Sequence, residues 1–387
     1  MKKRIAFFLV LALLLVALTG CTGTPVIYMT DCECPTAAPA TATPEPTAEP
    51  TAEPTAEPTV EPTAEPEVTA EPEVTAEPEV EASALKTGLY IGTSLSDSKN
   101  ATAEENGEVK YDVTVVAVTV DEAGVIQSCS IDSIPASVKF DAAGAITSDT
   151  AAAVLTKNEL GEAYGMKAYA GSKYEWNEQA AALAEYAVGK TVDELKNGAV
   201  DESGKAKDAD LATTATIYIG GYVAGIEAAV ANAQDLGAQA GDELRLAIIP
   251  SVSSSAAATA EKAGNAQLDA DVVALTLNGE TITSCLIDSL QAKVAFDAAG
   301  VITTDLSAAV KTKNELGEAY GMKADAGSKY EWNEQAAAFA QYVTGKTAAD
   351  VAGIAVNEKT APTDADIAST VTIAVGGFQA LVAKAAQ

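Results

Sequence analysis

The sequence contains no histidine. Histidine is the commonest general base, a frequent metal ligand and the usual haem ligand. Its absence argues against Ser-His-Asp hydrolysis, His-ligated zinc and c-type haem. Basic residues are scarce too, 24 Lys and Arg against 55 Asp and Glu, for a formal charge of −31. Nucleic acid and anionic lipid both require clustered Lys and Arg, so neither is expected as a partner. The acidity reads as surface solvation outside the cell. Cysteine is sparse, five in 387 residues, which is not the dense framework of a small secreted disulfide protein. Cys32 and Cys34 stand two apart and are poorly placed to bridge each other; a contact between chains or free thiols remain. The apolar run Ile5–Leu18 is too short for a comfortable membrane span.

That run belongs to a leader. Lys2, Lys3 and Arg4 precede it, and Leu18-Thr19-Gly20-Cys21 follows. The four residues resemble the lipobox of bacterial lipoproteins. The resemblance implies a signal peptide over residues 1–20 and lipidation of Cys21, which becomes the new N-terminus. Anchoring by two or three acyl chains is stable, since each buried methylene adds about 0.8 kcal/mol. The expected location is the extracellular face of the cytoplasmic membrane, in the cell envelope.

Residues 21–84 carry the low-complexity text "TATPEPTAEPTAEPTAEPTVEP" and its continuation. From Thr36 to about Ala84, proline every three to four residues blocks helix and sheet, and no large apolar side chain except valine is present to form a core. A disordered, semi-rigid Pro/Glu/Thr-rich stalk is expected. At about 3.1 Å per residue, roughly fifty residues reach on the order of 150 Å.

Beyond Lys86 the chain repeats itself. Copy 1 covers residues 85–236 and copy 2 residues 237–387. The 36 residues from Thr156 and the 36 from Thr312 differ at five positions. Each copy reads as α+β: an antiparallel hairpin-based sheet packed with helices, giving two tandem similar domains. "YDVTVVAVTVDEAGVIQSCSIDSI" and "DADVVALTLNGETITSCLIDSL" are hairpin signals, the second with Asn-Gly at its turn. Trp176, Ala180, Leu183 and Ala187 fall on one helical face. Gly189 suits a left-handed helix end, and Thr191 with Glu194 suits a capping box. "ATIYIGGYVAGIEAAVANA" is expected as a strand or helix followed by a clear helix. The low proline and cysteine content and Ala-rich helices suit compact, independent domains.

Candidate motifs divide into weak and stronger ones. "VGKT" at Val188 and "TGKT" at Thr344 lack the earlier glycine of a phosphate-binding loop; Ala184 and Ala340 stand there instead. The pairs Asp208/Asp210 and Asp364/Asp366 lack the further ligands of a calcium loop and suit helix caps. Cys129 and Cys285 occupy matched apolar positions, as buried small hydrophobes, as a bridge between copies or as redox thiols. Trp176 and Trp332, with Tyr164, Tyr174, Tyr320 and Tyr330, form aromatic groups beside Gly-rich turns. They are either ring platforms for a flavin or sugar, or anchors of the helix to the sheet. Lys167, Lys173, Lys323 and Lys329 either meet a phosphate or pair with nearby glutamates.

Thr213-Thr214-Ala215-Thr216 precedes "IYIGGYVAGIEAAVANA", and Ser369-Thr370-Val371-Thr372 precedes "IAVGGFQALVAKAA". These stretches resemble the close of the FMN-binding domain family of bacterial surface electron carriers, whose opening strands are also similar to "VTVVAVTVDEAGVIQSCSIDSI". In that family a Ser-Gly-Ala-Thr motif ends a strand, and its threonine is esterified to FMN. The resemblance implies Thr216 and Thr372 as attachment points; if a flavin binds, Trp176, Trp332, Tyr164 and Tyr320 are the candidate aromatic contacts. Here Thr214 and Thr370 replace the motif glycine, and Val371 replaces the alanine in copy 2. Two functions are therefore expected in order: a non-catalytic binding or interaction module for an envelope component or small molecule, then an extracellular electron carrier holding FMN. No metal site and no catalytic pairing are legible.

Overall fold

A computed structural model describes residues 83–387. The leader, Cys21, Cys32, Cys34 and the stalk lie outside the described residues. The first strands follow from β-branched runs that are apolar on both faces. β1 (Ala84–Ser94), β2 (Gly107–Val120) and β3 (Ile126–Phe140) form an antiparallel meander. β5 (Glu243–Ser251), β6 (Gly264–Asn278) and β7 (Thr281–Phe296) form another. The junction of the two copies supplies β4 (Gln234–Gln239), which pairs with β1 and makes the first sheet four-stranded, in the order β3-β2-β1-β4. The protein is thus mixed α+β, with two antiparallel sheets. Both expected hairpins form, β2–β3 and β6–β7. In the second, Asn278 already pairs with Thr281. The turn is therefore centred on Gly279-Glu280, with Gly279 at φ +60°, and glycine is the residue that takes this conformation freely.

Helices follow each meander. In copy 1 they are α1 (Lys157–Leu160), α2 (Met166–Ala170), α3 (Trp176–Ala187), α4 (Val192–Ala199), α5 (Ala209–Thr214) and α6 (Gly220–Ala231). In copy 2 they are α7 (Lys313–Leu316), α8 (Met322–Ala326), α9 (Trp332–Val343), α10 (Ala348–Ala352), α11 (Ala365–Ala368) and α12 (Gly376–Ala385). Short polar sequences start them as expected. Thr191 and Glu194 cap α4 reciprocally, Asp208 accepts from the amides of Asp210 and Leu211, and Asp364 accepts from that of Asp366. Gly189 follows α3 at φ +78°. Trp176, Ala180, Leu183 and Ala187 are all buried, as one face of α3.

The segment before α6 departs from expectation. Thr213 and Thr214 end α5, and residues 215–219 form a loop that leads directly into α6. No strand forms there, because this segment satisfies its backbone on a side chain of α3.

The sheets pack face to face, with the helices outside. Val109, Tyr111, Val113 and Val115 of β2 share one buried cluster with Leu268, Ala270, Val272 and Ala274 of β6. Val116, Val118 and Val120 face the other way, onto α3, α4 and α6. Val273 and Leu275 likewise face α9 and α12. The layering is helix, sheet, sheet, helix. This corrects the expectation of compact, independent domains: each copy's sheet has two apolar faces, its own helices cover only one, and the second copy covers the other.

Candidate functional site

The phrase written twice, "TKNELGEAYGMKA", builds a turn-rich shoulder beside the tryptophan helix. Thr156 and Glu159 form a capping box that opens α1, and Thr312 and Glu315 do the same for α7. Gly165 at φ +84° then turns the chain into α2. Buried Glu175 accepts from the amides of Met166 at 2.7 Å and Lys167 at 3.1 Å, so its carboxylate fixes the start of α2.

Above this shoulder lies an open cup of about 640 Å³, lined by Tyr164, Tyr169, Trp176, Tyr218, Tyr222 and Lys157 among others. Trp176 forms its wall, edge-on to Tyr222 with ring centroids 5.7 Å apart, and its indole N–H donates to the Tyr222 hydroxyl at 3.1 Å. Lys157 is buried beneath, its ammonium 5.2 Å from the Tyr164 ring centre and 5.0 Å from that of Trp176. It also lies 3.8 Å from Asp112. Cation–π contact and a carboxylate thus both engage this charge. Tyr169 is 90% exposed and Tyr218 is 67% exposed, so two aromatic rings stand at a solvent-open rim, Tyr218 with Lys205 over one face.

Of the residues singled out in copy 1, Trp176 and Tyr164 come together in the cup. Tyr174 stays outside the lining; its carbonyl accepts from Gln179 at 3.0 Å and Lys173 covers its ring at 4.8 Å. Thr216 adjoins the cup through its neighbour Ile217, and its side chain is engaged. Gln179 Oε1 accepts from the Thr216 amide at 2.8 Å, the Thr216 hydroxyl at 3.0 Å and the Ile217 amide at 3.1 Å. Gln179 Nε2 donates to Ser172 Oγ at 3.2 Å as well as to Tyr174. One fully buried amide therefore ties the loop carrying Ile217 and Tyr218 to the turn before α3.

Copy 2 repeats the frame with a different rim. Lys313 sits 5.3 Å from Tyr320 and 4.8 Å from Trp332, and Gln335 Oε1 accepts from the Thr372 amide at 2.8 Å and its hydroxyl at 3.0 Å. Where copy 1 has Tyr169, Tyr218 and Tyr222, copy 2 has Asp325, Ala374 and Phe378. Trp332 is edge-on to Phe378 at 5.8 Å.

The remaining candidates are placed as follows. Lys167 pairs with Glu178, and Lys323 with Glu334, each at 2.7 Å; Lys329 covers the Tyr330 ring at 4.7 Å. Cys129 and Cys285 are free thiols, and burial pushes both up to about 12, which keeps them unreactive. Buried Asp132 and Asp288 are held above the usual carboxylate range by desolvation, Asp288 at about 6. Each accepts two backbone N–H groups, at positions 133 and 158 or 289 and 314, which shape the entry to α1 and α7. Among the described residues no cluster of three or more His, Cys, Asp or Glu is placed to hold a metal ion, and no helix is long and apolar enough to cross a membrane.

Sequence reasoning missed Lys157, Gln179, Tyr169, Tyr218 and Tyr222. One signal was available for Tyr169: it stands at one of the five differences between the two 36-residue stretches. No protein-family model matches this chain, and neither a curated protein nor a solved structure matches it.

Proposed function

We propose that this chain is a lipid-anchored envelope protein, held at Cys21 on a Pro/Glu/Thr-rich stalk, whose duplicated α+β domains form a non-catalytic binding module. Its ligand site is the aromatic cup of copy 1, and its ligand is a saccharide of the cell envelope. The observation that carries this reading is the pair of exposed tyrosine rings, Tyr169 and Tyr218, beside Trp176. Aromatic faces at a solvent-open rim suit the apolar faces of sugar rings. Two of the cations at the cup are already engaged, Lys157 by two rings and Asp112, and Lys167 by Glu178, which suits a neutral ligand at its floor.

FMN is the second reading. Thr216 adjoins the cup through Ile217, and Lys205 stands 5.0 Å from the Tyr218 ring centre, a cation near enough for a phosphate. In this reading the protein positions the flavin and the flavin supplies the redox chemistry. The engagement of the Thr216 hydroxyl by Gln179 favours non-covalent over ester-linked flavin.

The test titrates the full chain with a trimer of N-acetylglucosamine and, separately, with FMN. The two indole N–H resonances are followed by NMR and assigned with Trp332→Phe. Saturable movement of the Trp176 signal by the sugar supports the first reading. Movement by FMN alone replaces it with the second. No movement by either ligand sinks both. Lipidation is tested by metabolic labelling with palmitate, which Cys21→Ser should abolish.

A further inference from the structure

A second pair of cavities lies away from the cup. One runs between edge strand β3 and helix α3, about 450 Å³; the other between edge strand β7 and helix α9, about 750 Å³. Residues at matched repeat positions line both: Cys129 and Cys285, Asn177 and Asn333, Ala181 and Ala337. In each, the asparagine Oδ1 is buried and has no hydrogen-bond partner. A buried acceptor without a donor is costly. Here the same cost stands twice, each time beneath an asparagine that lines a cavity.

The strands bring donors and acceptors of their own. Asn314 Nδ2 donates to the Ile287 carbonyl, and Asn158 Nδ2 to the Ile131 carbonyl, both at 3.0 Å. Those carbonyls therefore point outward, away from the neighbouring strand. Backbone direction in an antiparallel strand repeats every second residue. The N–H and C=O groups of Cys285 and Cys129 hence face outward as well, toward the cavities that these residues line. They have no partner outside the ladder. An edge strand with free backbone groups is a template for a further strand.

In copy 2 the far wall is β4, through Gln234, Asp235 and Leu236. β4 comes close to β7 at Gly237, where a Cβ would lie 2.7 Å from the Thr283 carbonyl, and the cavity opens beyond that point. In copy 1 no described segment takes this place. The helix walls are floored by alanine, and the charged groups are Asp235 in one cavity and Glu185 in the other.

We infer that both cavities accept an extended peptide that adds to β7 or β3 as a further strand. The peptide carries small side chains toward the helix and is neutral or cationic, since the lining charges are acidic. Main-chain pairing gives the affinity and the alanine floor gives the selection. This site does not depend on what fills the aromatic cup.

The experiment uses the full chain, labelled with ¹⁵N, and the peptide acetyl-Ala-Lys-Ala-Ala-amide at millimolar concentration. The expected result is saturable movement of the amides of Cys285 and Ile287, and of Cys129 and Ile131. The same peptide with N-methylated backbone amides binds about tenfold more weakly, as the loss of main-chain donors requires. Ala337→Leu, at an exposed position, fills the copy 2 cavity and removes only the copy 2 changes; Ala181→Leu does the same for copy 1. Absence of movement at these amides overturns the inference. So does movement that N-methylation or the two leucine variants leave unchanged.

Discussion

Phe140 and Phe296, which hold the same position in the two copies, lie ring on ring, with centroids 4.1 Å apart and planes 8° from parallel. Two glycines make room for them. A Cβ on Gly107 would fall 2.5 Å from the Phe140 ring, and one on Gly264 would fall 2.4 Å from the Phe296 ring. The same end of the sheets carries a reciprocal exchange: the Ala101 amide donates to Gly300, and the Ala258 amide to Gly144, each at 2.8 Å. The copies meet through matched surfaces, as two subunits do across a twofold axis. Each supplies the apolar layer that the other's sheet requires.

Phe140→Ala should therefore destabilise both copies together. The expected loss is about 3–5 kcal/mol, typical of a buried phenylalanine. Denaturant unfolding followed by tryptophan emission and by circular dichroism should give one coincident transition, shifted as a whole. Two transitions, with only one displaced, would contradict a shared core.

Tyr111 lies inside that core, fully buried, and its hydroxyl has no hydrogen-bond partner. Desolvation, with a smaller contribution from Asp269, pushes its phenol upward. Tyr111→Phe removes the unpaired group and keeps the ring. A gain of about 1 kcal/mol is expected in the denaturant midpoint at unchanged slope. A loss of stability would mean that the hydroxyl has a partner in solution.

Asp288 gives stability a pH dependence of defined sign. Burial raises its folded pKa to about 6, while hydrogen bonds from Thr312, Asn314 and Ser289 oppose the rise. The folded protein then holds this proton more tightly than the unfolded chain does. Its stabilising contribution is fully present below about pH 3.9, the ordinary value for the unfolded state, and is lost as pH rises through about 6. Asp132 acts in the same direction. Asp288→Asn should flatten stability between about pH 4 and 6 relative to wild type. An unchanged profile would assign the titration elsewhere.

Gln179 is the clip beneath the cup. Gln179→Ala strands the amides of Thr216 and Ile217 and the Tyr174 carbonyl that it now engages. The expected cost is about 2–3 kcal/mol. Because Ile217 and Tyr218 line the cup, ligand affinity should fall as well. Gln335→Ala should cost comparable stability through Thr372 and Ile373 and leave cup binding intact. Equal effects of both variants on binding would contradict a site confined to copy 1.

The legible parts of this fold were local. Thr191 with Glu194, the apolar face from Trp176 to Ala187, and the β2–β3 and β6–β7 hairpins follow from spacing within a few residues. The packing of sheet on sheet was not legible. β2 is apolar on both faces, Val113 and Val115 toward the other copy and Val116 and Val118 toward its own helices, so no alternation marks a second partner. The loop at Thr216 misled for a related reason. "ATIYIG" has the β-branched composition of a strand, yet Gln179, 37 residues earlier, takes its amides. Tyr164 and Trp176 stood out as large aromatics, whereas Tyr218 reaches the cup only through that loop.

The most direct measurement is the Trp176 indole N–H resonance during titration with the N-acetylglucosamine trimer, in the wild-type chain and in Tyr169→Asp combined with Tyr218→Ala. That double change gives the copy 1 rim two of the three residues by which copy 2 differs, and touches only exposed positions. The expected result is saturable movement in wild type and a loss of affinity of about tenfold or more in the variant, as removal of two stacking rings implies. Identical titrations of the two proteins, or movement of the Trp332 signal in place of Trp176, would contradict a saccharide site in the aromatic cup of copy 1.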